Sequence, residues 1–265
     1  MRYIHENNFI KKIKKNYNSK GKEIEKFYNE VYIKYREELE KLDYLSEDFE
    51  IFKKAAKLID EYLIKVEEFS SRMEITSQSK FKSTFIEEIS LYLFKELPLI
   101  KDNTFGIYNK NIFAGMKINN KMHVDIIPKD VDFCIGKKII VEINGEQTLQ
   151  IIIPIVCVEV KTYLDATMFG EVQYSSRQIK NASPNARTYV LMEYNDVAKE
   201  KIIAARYDNN LNEMFVLRNG SRKDPISKSH LDPQTLLDYY KEIKKVVDNT
   251  ETKDKVVTPG RLLKI

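Results

Sequence analysis

Residues Ile155-Val156-Cys157-Val158-Glu159-Val160-Lys161 form an apolar run that ends on an acid and a base. Alternate residues of a strand share a face, so Glu159 and Lys161 project together while the intervening valines point the other way. A run this apolar predicts a central strand, and charges are seldom set beside a buried run without a partner or a task. A second apolar segment, Val131-Asp132-Phe133-Cys134-Ile135, carries a single acid near its start. The plain alternative is a solvated ion pair on an edge strand, and the apolar run before Glu159 weighs against it. Two other E-x-K triplets occur. Glu242-Ile243-Lys244 lies in a helical pattern, where i and i+2 diverge, and Glu251-Thr252-Lys253 lies in a polar tail.

The rest of the chain supplies the frame. Apolar residues recur at helical spacing at Ile24, Phe27, Tyr28, Val31 and Tyr35, then at Phe52, Ala55, Ala56, Ile59 and Leu63. Residues 1–78 therefore read as a helical N-terminal region, with Ser46 as a helix cap. A further helix is expected from about Lys80 to Glu96, ended by Pro98. Residues 79–225 read as the core. Its β-branched runs are punctuated by a turn at Gly136-Lys137 and by Asn144-Gly145, a two-residue hairpin signal. Asp165 is expected to cap a helix over Ala166–Asn181, with a strand at Thr188–Met192 beyond it. Strand, helix and strand in that order predict a parallel crossover. Residues 226–265 read as a last helix opened by Asp232-Pro233, then a polar tail.

Composition narrows the class. The 265 residues are 43% hydrophobic and 32% charged, with a net charge of +4, which permits a nucleic-acid partner without demanding one. Cys134 and Cys157 both fall in apolar runs and read as reduced core residues. The longest apolar stretch is too short to cross a bilayer and the N-terminus has no apolar leader segment, so the expected location is the cytoplasm.

Asp132 and Glu159 suit a hard divalent ion, and Mg²⁺ is commonly held by only one or two protein carboxylates, with water and phosphate filling its other positions. The Val160 carbonyl is a candidate third oxygen. Lys161 is then a compact positive charge beside the attacking water. Asp125 and Asp130 compete with Asp132, which is preferred because Val131, Phe133 and Ile135 place it on a strand.

Pro128-Lys129-Asp130-Val131-Asp132, the strands that follow, Glu159-Val160-Lys161 and the succeeding helix and strand resemble the PD-(D/E)XK nuclease superfamily. The run from Val158 to Met168, continuing into Gly170-Glu171, is most similar to type II restriction endonucleases of the Bpu-type family. The superfamily resemblance covers roughly residues 80–195. It implies an α/β fold with a restriction-endonuclease-like mixed central sheet flanked by helices, here with a helical N-terminal extension. It also implies Mg²⁺-dependent cutting of double-stranded DNA. The catalytic roles carry over to Asp132, Glu159 and Lys161. Many members add an acid from the helix before the sheet, here assigned to Glu88, which otherwise reads as an ordinary solvated helix charge. The interval from Asp132 to Glu159 is long for the superfamily and suggests an inserted hairpin.

Further expectations concern partners. Arg177 and Lys180, on the helix after Lys161, are candidates for the DNA backbone. Arg218, Arg222 and Lys223, in a basic loop, are candidates for bases and phosphates. Both sets also fit plain solvated surface. A duplex cut implies two catalytic centres, hence a homodimer or a heterodimer with a related subunit. The alternatives are a non-catalytic DNA-binding or assembly subunit on the same scaffold, and a repair or transposon nuclease of the same fold.

Overall fold

The computed structural model describes residues 3–15, 19–76, 80–143, 145–205, 210–221 and 229–249. The N-terminal region is helical, as its apolar spacing predicts: α1 (Ile4–Lys15), α2 (Ser19–Phe27), α3 (Ile33–Glu40) and α4 (Phe49–Arg72), with a π-helical turn at Tyr28–Tyr32 between α2 and α3. The α4 stripe of Phe52, Ala55, Ala56, Ile59 and Leu63 is buried. Its cap is Asp48, whose side chain accepts from the Glu50 N–H at 3.0 Å. Ser46, the expected cap, lies two residues earlier in a 3₁₀ turn and donates to the Asp43 carbonyl.

Helix α5 (Ser83–Phe94) buries ten of its twelve residues, which marks it as a core helix rather than a surface one. It packs against α1 on one side and the sheet on the other. Pro98 does not simply end this segment. It occupies the first turn of a short α6 (Pro98–Lys101) that leads into the sheet.

Seven strands follow: β1 (Gly106–Tyr108), β2 (Ile112–Ile118), β3 (Val124–Lys129), β4 (Phe133–Ile143), β5 (Gln147–Leu164), β6 (Arg187–Asn195) and β7 (Glu213–Val216). They form one mixed sheet. β1–β4, β4–β5 and β2–β3 are antiparallel, whereas β2–β5, β5–β6 and β6–β7 are parallel. Helix α7 (Ala166–Ala182) makes the expected crossover between β5 and β6, with the Asp165 carboxylate accepting from the Thr167 and Met168 N–H groups, each at 2.9 Å. Its buried residues include Phe169, Val172 and Ile179. Beyond β6 come α8 (Lys199–Ala205), β7 and α9 (Pro233–Asn249), whose Pro233 stands in the first turn behind the Asp232 cap.

The long interval between Asp132 and Glu159 is the β4–β5 hairpin itself. Its strands pair as far as Ile143↔Gln147, with Gly145 at φ +72°; Asn144, the first residue of the expected turn, lies outside the described residues. Gly136 is not a turn. It lies inside β4, where the register steps from Ile135↔Val156 to Gly136↔Pro154. A side chain at Gly136 would stand 2.5 Å from the Ile153 carbonyl oxygen, and Pro154 has no N–H to offer the ladder where it is interrupted.

The main apolar core runs without a break from Phe9 on α1 through α4, α5 and the sheet to Val247 on α9, and so crosses residues 78 and 225. Cys134 and Cys157 are free, buried and opposite each other on β4 and β5. No helix among the described residues is long and apolar enough to cross a membrane.

Candidate active site

The register of the hairpin brings the distant acids together. Phe133 pairs with Val158, so Asp132, at the bend just before β4, meets Glu159 and Val160 within β5. Val158 and Val160 are buried, which turns Glu159 and Lys161 to the opposite face. The Val160 backbone N–H donates to Asp132 Oδ2 at 2.7 Å. Lys161 Nζ lies 3.6 Å from Asp132 Oδ2 and 3.2 Å from Glu159 Oε2. From α7, Ser175 Oγ donates to Glu159 Oε1 at 3.0 Å. The three side chains are 24%, 19% and 28% exposed for Asp132, Glu159 and Lys161, so each is sheltered yet open to a ligand. The competing acids have partners of their own: Asp125 accepts from the Asn119 side chain at 3.0 Å, and Asp130 from the Asn111 N–H at 3.2 Å.

The charges are tuned by this enclosure. Burial pushes the Asp132 carboxyl above its usual range, with Glu159 adding to the rise while Lys161 and the Val160 N–H oppose it. Burial alone would lower the Lys161 ammonium, but Asp132 and Glu159 outweigh it and the group is held more firmly protonated. Two carboxylates against one ammonium leave an excess of negative charge where a cation would enter.

Glu88 is not part of this site. It is fully buried, where its carboxylate accepts from the His5 backbone N–H at 2.8 Å, from Tyr32 Oη at 2.8 Å and from Tyr92 Oη. Both of its oxygens are held by donors inside the helical core, so the carboxyl is not presented to Asp132 and Glu159. The acid that faces the site is its neighbour Glu87. Burial, then the proximity of Asp132, raises its carboxyl to about 7. Ser83 and Glu87 are the only half-exposed residues of α5 and stand four apart, on one face.

A cleft of about 820 Å³ opens over the acids. Its lining includes Glu87, Asp130, Asp132 and Glu159, together with Asn7, Asn8 and Lys11 of α1, Lys80, and the loop at Asn109-Lys110. Nothing in the sequence pattern marks Asn7, Asn8 or the Asn109-Lys110 loop for this cleft. Arg177 on α7 is exposed and Lys180 is half-buried. Arg218 is no DNA-facing loop residue: it is buried, 2.5 Å from Asp60 and 2.9 Å from Glu193, and donates to the Ser229 carbonyl at 2.6 Å. Arg222 and Lys223 lie outside the described residues.

Among the described residues no three acids, histidines or cysteines form a ready-made metal cage. Asp132 and Glu159 instead offer the sparse oxygen set that suits Mg²⁺, which keeps water and takes phosphate oxygens.

A mixed sheet flanked by helices, with acids and a lysine meeting on its central hairpin, places this chain in the restriction-endonuclease class. Its fold matches a solved structure described as the native BbvCI A2B2 tetramer at low resolution, with a TM-score of 0.76 over 94% of this chain and 96% of that one. At 16% identity this likeness speaks to fold alone. The family is settled by sequence: residues 78–258 match the Bpu10I restriction endonuclease family, and the chain belongs to it. Comparison with curated protein sequences gives no match.

Proposed function

We propose that this chain is a type II restriction endonuclease that hydrolyses double-stranded DNA at specific sites with Mg²⁺, in the cytoplasm. The observation that carries the reading is the meeting of Asp132, Glu159 and Lys161 across the hairpin register. Asp132 and Glu159 would hold the ion, with the Val160 carbonyl as a further oxygen. When bound, Mg²⁺ supplies positive charge to the attacked phosphate and eases deprotonation of water.

The chain's own groups do the positioning. Ser175 and Lys161 fix one oxygen each of Glu159, and the Val160 N–H fixes Asp132. Lys161, kept protonated, opposes the negative charge that builds on the phosphate. Glu87, with its carboxyl near neutrality, is placed to hold or release a proton beside Asp132. Glu87 therefore takes the role first given to Glu88. Arg177 and Lys180 extend from the helix that flanks the site and are suited to backbone contacts.

A duplex has two strands, and one site cuts one of them. The active form is accordingly a homodimer or an assembly with a related subunit, a reading supported by the tetrameric description of the structural relative.

The test is digestion of a plasmid of known sequence with Mg²⁺ and with EDTA, followed by end mapping. Banded, Mg²⁺-dependent fragments are expected. Glu159→Ala and Lys161→Ala are expected to abolish cutting while keeping fold and DNA binding. Full activity in both variants would exclude this site. Binding without cutting by the parent protein would favour a non-catalytic subunit, and structure-selective nicking a repair or transposon nuclease.

A further inference from the structure

Helix α1 has two working faces. His5 and Phe9 are buried in the aromatic core. Ile4, Asn7, Asn8 and Lys11, spaced i, i+3, i+4 and i+7, form a single stripe on another side, and all four line the cleft above Asp132 and Glu159. The stripe is anchored. Asn8 Nδ2 donates to the Lys80 carbonyl at 3.1 Å and to Thr84 Oγ1 at 3.2 Å, while the His5 ring bonds Thr84 at 2.9 Å and Tyr62 at 2.7 Å.

Two more lysines reach the same cleft on short tethers. Lys80 sits where Asn8 and Thr84 both hold its carbonyl, and its charge acts on both Asp132 and Glu87. Lys110 follows Asn109, whose carbonyl accepts from the Val131 N–H at 3.1 Å, one residue from Asp132. Lys11, Lys80 and Lys110 are all exposed. Among the described residues none of the three is held in an ion pair, in contrast to Lys161 and Lys82. Exposed ammonium groups around an acidic, metal-suited centre complement a ligand that is negative along its length and bridged to the acids by a cation at one point. A nucleic-acid backbone has that pattern, with a charge at every phosphate.

We infer that Lys11 of α1, with Lys80 and Lys110, holds phosphates next to the scissile one, so that the N-terminal helix is a wall of the DNA-binding cleft. The inference rests on the nuclease reading above and adds residues that lie partly before the family-matched segment, which starts at residue 78. These are positioning residues. They act on the strand, and the metal-binding acids are untouched.

The experiment uses the full chain in its active assembly and a fluorescein-labelled mixed-sequence duplex, with anisotropy followed over a KCl series in EDTA. Lys11→Ala and Lys110→Ala are each expected to weaken binding and to reduce the slope of log K against log[salt] by about 1, the signature of one lost phosphate contact. Lys11→Arg should restore most of the slope. Lys138→Ala, which removes the same charge from an exposed position on β4, should leave it unchanged. Equal slopes for the parent, Lys11→Ala and Lys110→Ala would overturn the inference while leaving the nuclease reading intact, provided that the parent binds and cuts. A uniform drop in all variants, Lys138→Ala included, would also overturn it, since net charge alone would then account for the effect. A parent protein with no affinity for the duplex would sink both.

Discussion

Ser175 donates its hydroxyl to Glu159 Oε1 at 3.0 Å, and this single bond ties the crossover helix α7 to the candidate metal ligand on β5. The other oxygen of Glu159 is taken by Lys161 at 3.2 Å. Partners of this kind set the direction in which a ligating carboxylate points, and their loss commonly costs roughly 10–100-fold in metal affinity or activity. Ser175→Ala should therefore raise the Mg²⁺ concentration needed for half-maximal cleavage by about tenfold, with the fold kept. A cleavage titration over Mg²⁺ reads this directly, and a curve superimposable on the parent's would contradict it.

Adjacent residues on α5 should behave as unlike groups. Glu87→Gln removes a proton carrier beside Asp132 and is expected to slow single-turnover cleavage by roughly 10²-fold or more, the usual scale for a lost acid or base. Glu88→Gln changes a carboxylate fixed by His5, Tyr32 and Tyr92 in the helical core and should leave cleavage near the parent's rate. The reverse pattern would return the third acid to Glu88.

His5 and Glu88 give stability an unusual pH dependence. Burial lowers the His5 imidazolium from 6.5 to about 3 and raises the Glu88 carboxyl from 4.5 to about 7. Between 4.5 and 6.5 the folded chain holds Glu88 protonated and His5 neutral, whereas the unfolded chain holds the reverse. Both bind one proton across the pair, so their contributions to the slope cancel. As pH rises from 6.5 to about 7 the raised Glu88 pKa costs stability. As pH falls below 4.5 the depressed His5 pKa does the same. Glu88→Gln removes one partner, and its stability should climb with pH from 4.5 to 6.5 by up to about 1.4 kcal/mol per unit relative to the parent. Urea denaturation across that window tests it. Identical slopes for the two proteins would show that the pair does not titrate as described.

Arg218 anchors a buried ionic cluster. It lies against Asp60 and Glu193, and Lys82 approaches Glu193 at 3.0 Å. Removing one partner of a buried pair leaves an uncompensated charge, at a cost of about 3–5 kcal/mol. Arg218→Ala should thus lower the urea midpoint sharply. A stable Arg218→Ala protein with weakened DNA binding would point instead to a role at the DNA.

Local signals carried much of the architecture. The stripe of α4, the Asp232-Pro233 start of α9, the Asp165 cap and the β5–α7–β6 crossover follow from spacing and capping within a few residues. The Asp132–Glu159–Lys161 meeting was legible too, because the place where an apolar run gives way to charges is a readable landmark. What failed depended on partners far along the chain. Gly136 looks like a turn until Pro154 is set opposite it. Arg218 looks like a solvated loop charge until Asp60, on α4, is brought to it. Glu88 and Glu87 differ by one helical step, and only the packing of α1 shows which of them faces the core.

The β4–β5 hairpin has one further consequence. Chemistry is confined to its root, at Asp132 and Glu159, while the distal strands carry exposed residues such as Ile139 and Ile140 well away from the acids. Trimming or adding one residue on each strand beyond the bulge keeps the root register, whereas a change on one strand alone turns every following side chain to the wrong face. The arm can thus telescope over evolutionary time, altering what its tip reaches without disturbing the cutting centre.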